Sequence, residues 1–167
     1  MYNSTKLICM LLVCVFTLNS CSKDSDLPQE TSANLTVKLV DNFAYSKIET
    51  QILEAVNQHR ESIGLNALDP VDDITLQALD HTSYMASLKV VNHDDFNKRY
   101  EALVKEIGAK AVAENVAFGY RTANAVVAAW IKSDEHRANL EGNYKYFGVA
   151  VEQDKDGRNY FTNIFVR

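Results

Sequence analysis

The stretch VAENVAFGY, residues 112–120, sets Glu114 and Asn115 inside an otherwise apolar, strand-like run. A carboxylate there needs partners, because an unpaired buried charge is costly. Four imidazoles are available elsewhere in the chain: His59, His81, His93 and His136. A carboxylate beside an imidazole raises its pKa, because the negative charge favours the imidazolium. Two imidazoles and a carboxylate also make a Zn-type first shell with an open position. Beside these stands a structural reading, in which Glu114 bonds backbone amides between a helix and a sheet. No nucleophile has a motif around it: GxSxG and HExxH are absent. In EHR (135–137) the Glu lies on the wrong side of His136, with no second His at helical spacing. EQDKDGRNYFTN (152–163) has acids at calcium-loop spacing, but its twelfth position is Asn163 rather than Glu. Asp156-Gly157 makes a hairpin turn the better reading.

The elements that must position these residues belong to a 167-residue chain, 47% hydrophobic and 23% charged, with net charge −5. That suits one domain with a real core. No run of Lys and Arg exceeds two residues, so no basic stripe marks a nucleic-acid partner. Lys6 followed by LICMLLVCVFTL (7–18) reads as a signal peptide, too short to span a membrane comfortably. LNSC (18–21) resembles a bacterial lipobox, which makes Cys21 the lipidated first residue of the mature protein and residues 1–20 the removed segment. Cys9 and Cys14 leave with that segment, so the mature domain holds neither a free thiol nor a disulfide. Ser22 after the Cys resembles lipoproteins released to an outer membrane. Residues 21–45 read as the lipidated Cys and a polar tether, with LTVKLV (35–40) as a short strand or more tether.

The helical period over 46–63 places Ile48, Ile52, Ala55, Val56, His59 and Ile63 on one face. Ser46 and Glu49 form a capping-box pattern, and Gly64 ends the helix. A second helix is expected over 72–90, capped by Asp72 or Asp73, with Leu76 and Leu88 on a broad apolar surface. NKRYEALVKEIG (97–108) reads as a shorter amphipathic helix. Thr122 caps another that runs at least through Trp130, and two strands flank DKDGR near the C-terminus. This order predicts an α+β layer fold with helices against an antiparallel sheet.

Seven stretches now resemble one family in register: VNQHRESIGLNAL (56–68), LQALDHTSYMA (76–86), NHDDF (92–96), AENVAFG (113–119), VVAAWIKSDEHRANL (126–140), YFGVAV (146–151) and YFTNIFV (160–166). Over roughly residues 46–167 the chain resembles the CAP superfamily of cysteine-rich secretory proteins, antigen 5 and pathogenesis-related 1 proteins, also called SCP domains. It is most similar to the disulfide-free bacterial branch. The resemblance implies a three-layer α-β-α sandwich and a cleft lined by His93, Glu114 and His136. Glu114 lies 21 residues after His93 and 22 before His136, so only the fold can bring them together. Asn57 and Arg60 match the family's first helix and read as packing anchors. Ala113 stands where Gly is usual, Asp134-Glu135 replace Pro-Gly, and Asn163 replaces a Gln pattern. Ser133 sits where animal and plant members have a second Glu, leaving Asp134 or Glu135 as candidate substitutes for the fourth cleft residue.

Two readings of the cleft stand side by side. In the first, the protein is an exported lipoprotein on the outer membrane or cell surface. It is then a binding module for an unknown ligand, a lipid or another envelope or extracellular component. In the second it is a divalent-metal-dependent hydrolase. His93 and His136 would then hold an ion such as Zn, and Glu114 would be a further ligand or the base for a bound water. The residues alone do not decide whether it is an enzyme, because this fold hosts binding proteins as well.

Overall fold

The computed structural model describes residues 43–167. The signal segment, Cys21, the tether and the LTVKLV stretch lie outside the described residues. The capping box forms as expected: Ser46 N–H donates to Glu49 Oε2 (2.7 Å), and Glu49 N–H donates to Ser46 Oγ (3.4 Å). It opens α1 (Lys47–Ser62), whose Ile52 and Val56 are fully buried. The second oxygen of Glu49 accepts from the backbone N–H of Val151 (2.9 Å), so the cap also ties the helix to the sheet.

A two-residue strand that the sequence pattern does not predict, β1 (Asp69–Pro70), leads directly into α2 (Asp72–Leu88). The N-cap of α2 is therefore Val71, not Asp72 or Asp73, and no side chain caps it. Val71 continues the strand by donating to Phe147 O (3.0 Å), so Asp72 is already helical, and its carboxylate accepts from the N–H of Phe43 (3.2 Å). The apolar face of α2 is also narrower than expected. Leu76 and Leu88 are exposed, while Ile74, Ala78, His81, Thr82 and Met85 form the buried stripe. After α3 (Phe96–Ile107), Gly108 turns the chain in the left-handed region (φ 69°). Then come β2 (Val112–Phe118), α4 (Ala123–Lys132) and α5 (Asp134–Leu140). The expected Thr122 cap is present, accepting from Ala125 N–H (3.2 Å). The C-terminal hairpin pairs β3 (Tyr146–Gln153) with β4 (Asn159–Val166). It turns through Gly157 at φ 73°, a conformation glycine adopts without the cost of a Cβ.

The sheet has the order β1-β3-β4-β2, antiparallel except for the short β1–β3 pair. Strand β4 is central and buried on both faces. Phe161 and Phe165 point to the layer of α1 and α4, where Trp130, Val126 and Ile52 meet them. Ile164 and Val166 point to the opposite layer with Ile74, Ala78 and Leu103. The result is the α-β-α sandwich. Helix α2 lies so close on the sheet that a Cβ on Gly148 would meet the backbone of Ile74 and Thr75. Trp130 is 2% exposed and donates from its indole to Val116 O (3.2 Å). Trp130→Ala should cost about 3–5 kcal/mol in chemical denaturation, from lost transfer energy plus a cavity. A loss below about 1 kcal/mol would show that this layer is not held by the indole.

Candidate functional site

Strand β2 is an edge strand, and the site is built over its free edge. The carbonyls of Glu114 and Val116 accept from side chains: Asn139 Nδ2 (3.3 Å) and Trp130 Nε1 (3.2 Å). Side-chain donors from α4 and α5 thus cover an edge that would otherwise template further pairing. Asn115 completes the cover, donating to His136 O (3.0 Å) and accepting from Asn139 (2.9 Å). Alternation along β2 then sends Glu114 to the opposite face, toward α2 and α3.

There the Glu114 side chain is 1% exposed, and its main partner is one that sequence reasoning missed. Arg99 of α3 grips it with two bonds, Nε to Oε2 and Nη2 to Oε1, both 2.8 Å. Such a fork is the strongest form of carboxylate recognition. Oε1 also accepts from His93 Nδ1 (2.8 Å), and His81 Nε2 lies 3.8 Å away. His81, on α2, is buried and donates from Nε2 to Asn92 O (2.9 Å). Arg99 Nη1 donates to Asp94 O (2.7 Å). His81 and Arg99 therefore hold the carbonyls on either side of His93. Lys89 and Asp95, at φ 57° and 58°, bracket this loop in the left-handed region that non-glycine residues seldom adopt. The loop is thereby held so that His93 meets Glu114. Because a carboxylate only accepts, His93 carries its proton on Nδ1 and, when neutral, presents Nε2 as a bare lone pair.

His136 comes to the same edge from α5 but does not bond Glu114. Its Nδ1 pairs with Ser133 Oγ (2.8 Å), so Ser133, where the resemblance placed a missing Glu, takes up His136 instead. Of the two candidate substitutes, Asp134 pairs with Arg137 (2.7 Å), and Glu135 is exposed, its charge acting to raise the pKa of His136. Burial, then the charge of His93, lowers the pKa of His136. The pKa of His81 is also lowered, by burial first, with Glu114 pulling the other way. The imidazole coupled to Glu114 beside His93 is thus His81, not His136. His59, on the expected face of α1, bonds Glu141 (2.9 Å). Asn57 and Arg60 are anchors: Asn57 pairs with both backbone groups of Leu68, and Arg60 donates to Leu140 O (2.7 Å).

The sequence model of the cysteine-rich secretory protein family (CAP) matches residues 53–166. The chain belongs to this family. A curated relative, "Uncharacterized membrane protein YlbC" of Bacillus subtilis, is 29% identical over 140 residues, covering 78% of this chain and 38% of that protein. The chain thus spans about two fifths of that relative's length. Among solved structures, an outer surface protein of Borrelia burgdorferi superposes with a TM-score of 0.65 at 20% identity, over 74% of this chain and 95% of that one. An extracellular SCP-domain protein of Bacillus anthracis gives 0.60 at 24% identity, over 71% and 40%. NaASP2, solved with Zn2+, gives 0.53 at 16% identity, over 76% and 83%. Two of these relatives are thus surface or extracellular proteins, and no helix among the described residues is long and apolar enough to cross a membrane.

Two tests follow from the CAP-domain geometry. Arg99→Met leaves the buried Glu114 without its guanidinium counter-charge and should cost about 3–5 kcal/mol. Adding Glu114→Gln should recover a large part of this in a double-mutant cycle, and additive losses would deny the coupling. The second concerns acid. A His81 pKa held below its unfolded value of 6.5 means that the unfolded chain binds more protons below that pH. Stability should be complete above about pH 6.5 and fall as pH drops toward the folded value. NMR titration of the His81 ring checks this, and a midpoint at or above 6.5 would contradict it.

Proposed function

We propose that this CAP domain is an extracytoplasmic binding module, anchored by lipid at Cys21, whose site is the His93 and His136 side chains at the β2 edge. The observation that carries this reading is the state of Glu114. Both oxygens are taken by Arg99, and one also by His93. A carboxylate so engaged, with its side chain 1% exposed, is poorly placed to reach a metal or a water. Its role is to fix the tautomer and direction of His93, whose side chain is 52% exposed and offers Nε2 outward. The surface and extracellular relatives support export, and Cys21 in its LNSC setting supports the anchor. The ligand on this reading is an envelope or extracellular component that engages two imidazoles.

The metal reading keeps one point in its favour: a bare Nε2 on His93 and a His136 held toward its neutral form are what an ion requires. NaASP2, solved with Zn2+, lends it precedent within the fold. The residues do not fit a hydrolytic zinc with three protein ligands, since no group of three or more His, Cys, Asp or Glu among the described residues is arranged to hold an ion. Metal analysis of untagged protein, with His93→Ala/His136→Ala alongside, separates the readings. We expect less than one ion per chain and no difference between the two proteins. A stoichiometric ion lost in the double variant would overturn the binding reading. Cys21→Ser should abolish acyl-label incorporation, and label that persists would remove the anchor.

A further inference from the structure

Side chains alternate along β4, so Phe161, Asn163 and Phe165 share the face turned to α1 and α4. The two phenylalanines suit that layer. An amide between them, 0% exposed, is costly there unless its polar atoms are bonded. Asn163 meets half of that demand. Its Nδ2 donates to Gly148 O on β3 (2.9 Å), while its Oδ1 has no hydrogen-bond partner among the described residues. Turning the amide over would set its oxygen against Gly148 O, two acceptors face to face, so its orientation is fixed. Among the described residues no other buried side-chain nitrogen or oxygen is left in this state.

The neighbour across the strand pair is an amide as well. Asn115 of β2 is the register partner of Asn163, so the two side chains share a face, with Cβ atoms about 5 Å apart. Asn115 is also 0% exposed. Its Oδ1 accepts from Asn139, and one N–H of its Nδ2 donates to His136 O. An asparagine amide carries two N–H donors, so one remains. Asn139 has none to spare, because its Nδ2 serves Glu114 O and Asn115 Oδ1. The Trp130 indole is committed to Val116 O. A bare acceptor and a spare donor therefore lie side by side in a buried layer. They sit on amides that lean apart, one toward β3 and the other toward α5.

We propose that one buried water bridges these amides, donating to Asn163 Oδ1 and accepting from Asn115 Nδ2, and that Asn163 is through it a positioning residue for His136. A water suits a polar gap between two groups that do not reach each other, and it satisfies both at once. The bridge closes a chain from Gly148 O through Asn163, the water and Asn115 to His136 O. Its inner end rests on β4, the strand paired on both sides by β3 and β2. Its outer end is the backbone of α5, which at seven residues is too short to be stable alone. The His136 ring bonds Ser133 Oγ, the N-cap of that same helix, so its direction follows the position of α5. The bridge concerns how His136 is held and not what it binds, so it stands or falls independently of the function proposed above.

The test is solution NMR of the purified, isotope-labelled chain. The side-chain amide protons of Asn115 and Asn163 should show cross-peaks to a long-lived water. Asn163→Leu, similar in shape but without the acceptor, should abolish the cross-peak at Asn115 and shift the ring signals of His136, while those of His93 keep their positions. Asn163→Gln, one methylene longer, should reach Asn115 directly, lose the water and keep the His136 signals of the unaltered chain. With Asn115→Ala already in place, Asn163→Leu should no longer move His136, because the link is broken at its other end. Absence of a long-lived water at both amides of the unaltered chain overturns the proposal, and that measurement needs no variant to fold. So does a His136 ring unmoved by Asn163→Leu. An equal shift of His136 in the Asn115→Ala background would also overturn it, since Asn163 would then act by another route.

Discussion

The paired bonds between Arg99 and Glu114 are the constraint on which the His93 site depends. A carboxylate that is 1% exposed must be compensated, and compensation has to come from outside β2. Arg99 supplies it from α3, and with the rest of its guanidinium it fixes the carbonyl of Asp94. His81 fixes the carbonyl of Asn92. One charge pair thereby orders a loop with two left-handed residues and aims a half-exposed imidazole. Removing the acid would leave Arg99 with no buried counter-charge and His93 without its tautomer. The strand therefore carries Glu114 to hold a loop, and any chemistry at the site happens through the imidazole that the loop presents.

The second constraint is the open edge of β2. A free edge next to a functional loop invites unwanted pairing, and the fold answers with side chains instead of another strand. Trp130 and Asn139 bond the outward carbonyls, and Asn115 returns a bond to α5. The same cover delivers His136 to the edge from the opposite layer. The site is therefore a meeting of two layers around one strand, with Glu114 facing one and Asn115 the other. Ser133 closes it, giving His136 a neutral hydroxyl partner where the family resemblance led us to expect an acid. This lowers the negative charge of the site and weakens its case as a metal centre.

Parts of the site have a signature in the sequence. Arg99, Leu103 and Ile107 stand at i, i+4 and i+8, so the stripe that buries two aliphatic residues buries the arginine as well. His81 likewise falls on the stripe of Ile74, Ala78 and Met85. A charged residue on an apolar stripe is a request for a buried partner, and Glu114 on a strand was the complementary request. The α2 cap differs from the expected one for another reason. Val71 belongs to a strand too short to leave a pattern, and its pairing with Phe147 consumed the residue at which a cap was expected to begin.

The sequence by itself determined most of the elements, though not β1 or the start of α2, because capping, periodicity and turn chemistry are local. Ser46 with Glu49, Thr122, and Asp156-Gly157 each act within a few residues of themselves. It also determined the family, through motifs spread over the domain, and marked Glu114 as a residue in need of partners. Only the tertiary structure decided which partners it received. Ion pairs across 15 residues and hydrogen bonds across 21 follow from how layers stack, and no local preference encodes them. The same holds for Asn115 and Asn163. These residues lie far apart along the chain, and strand register alone sets them side by side.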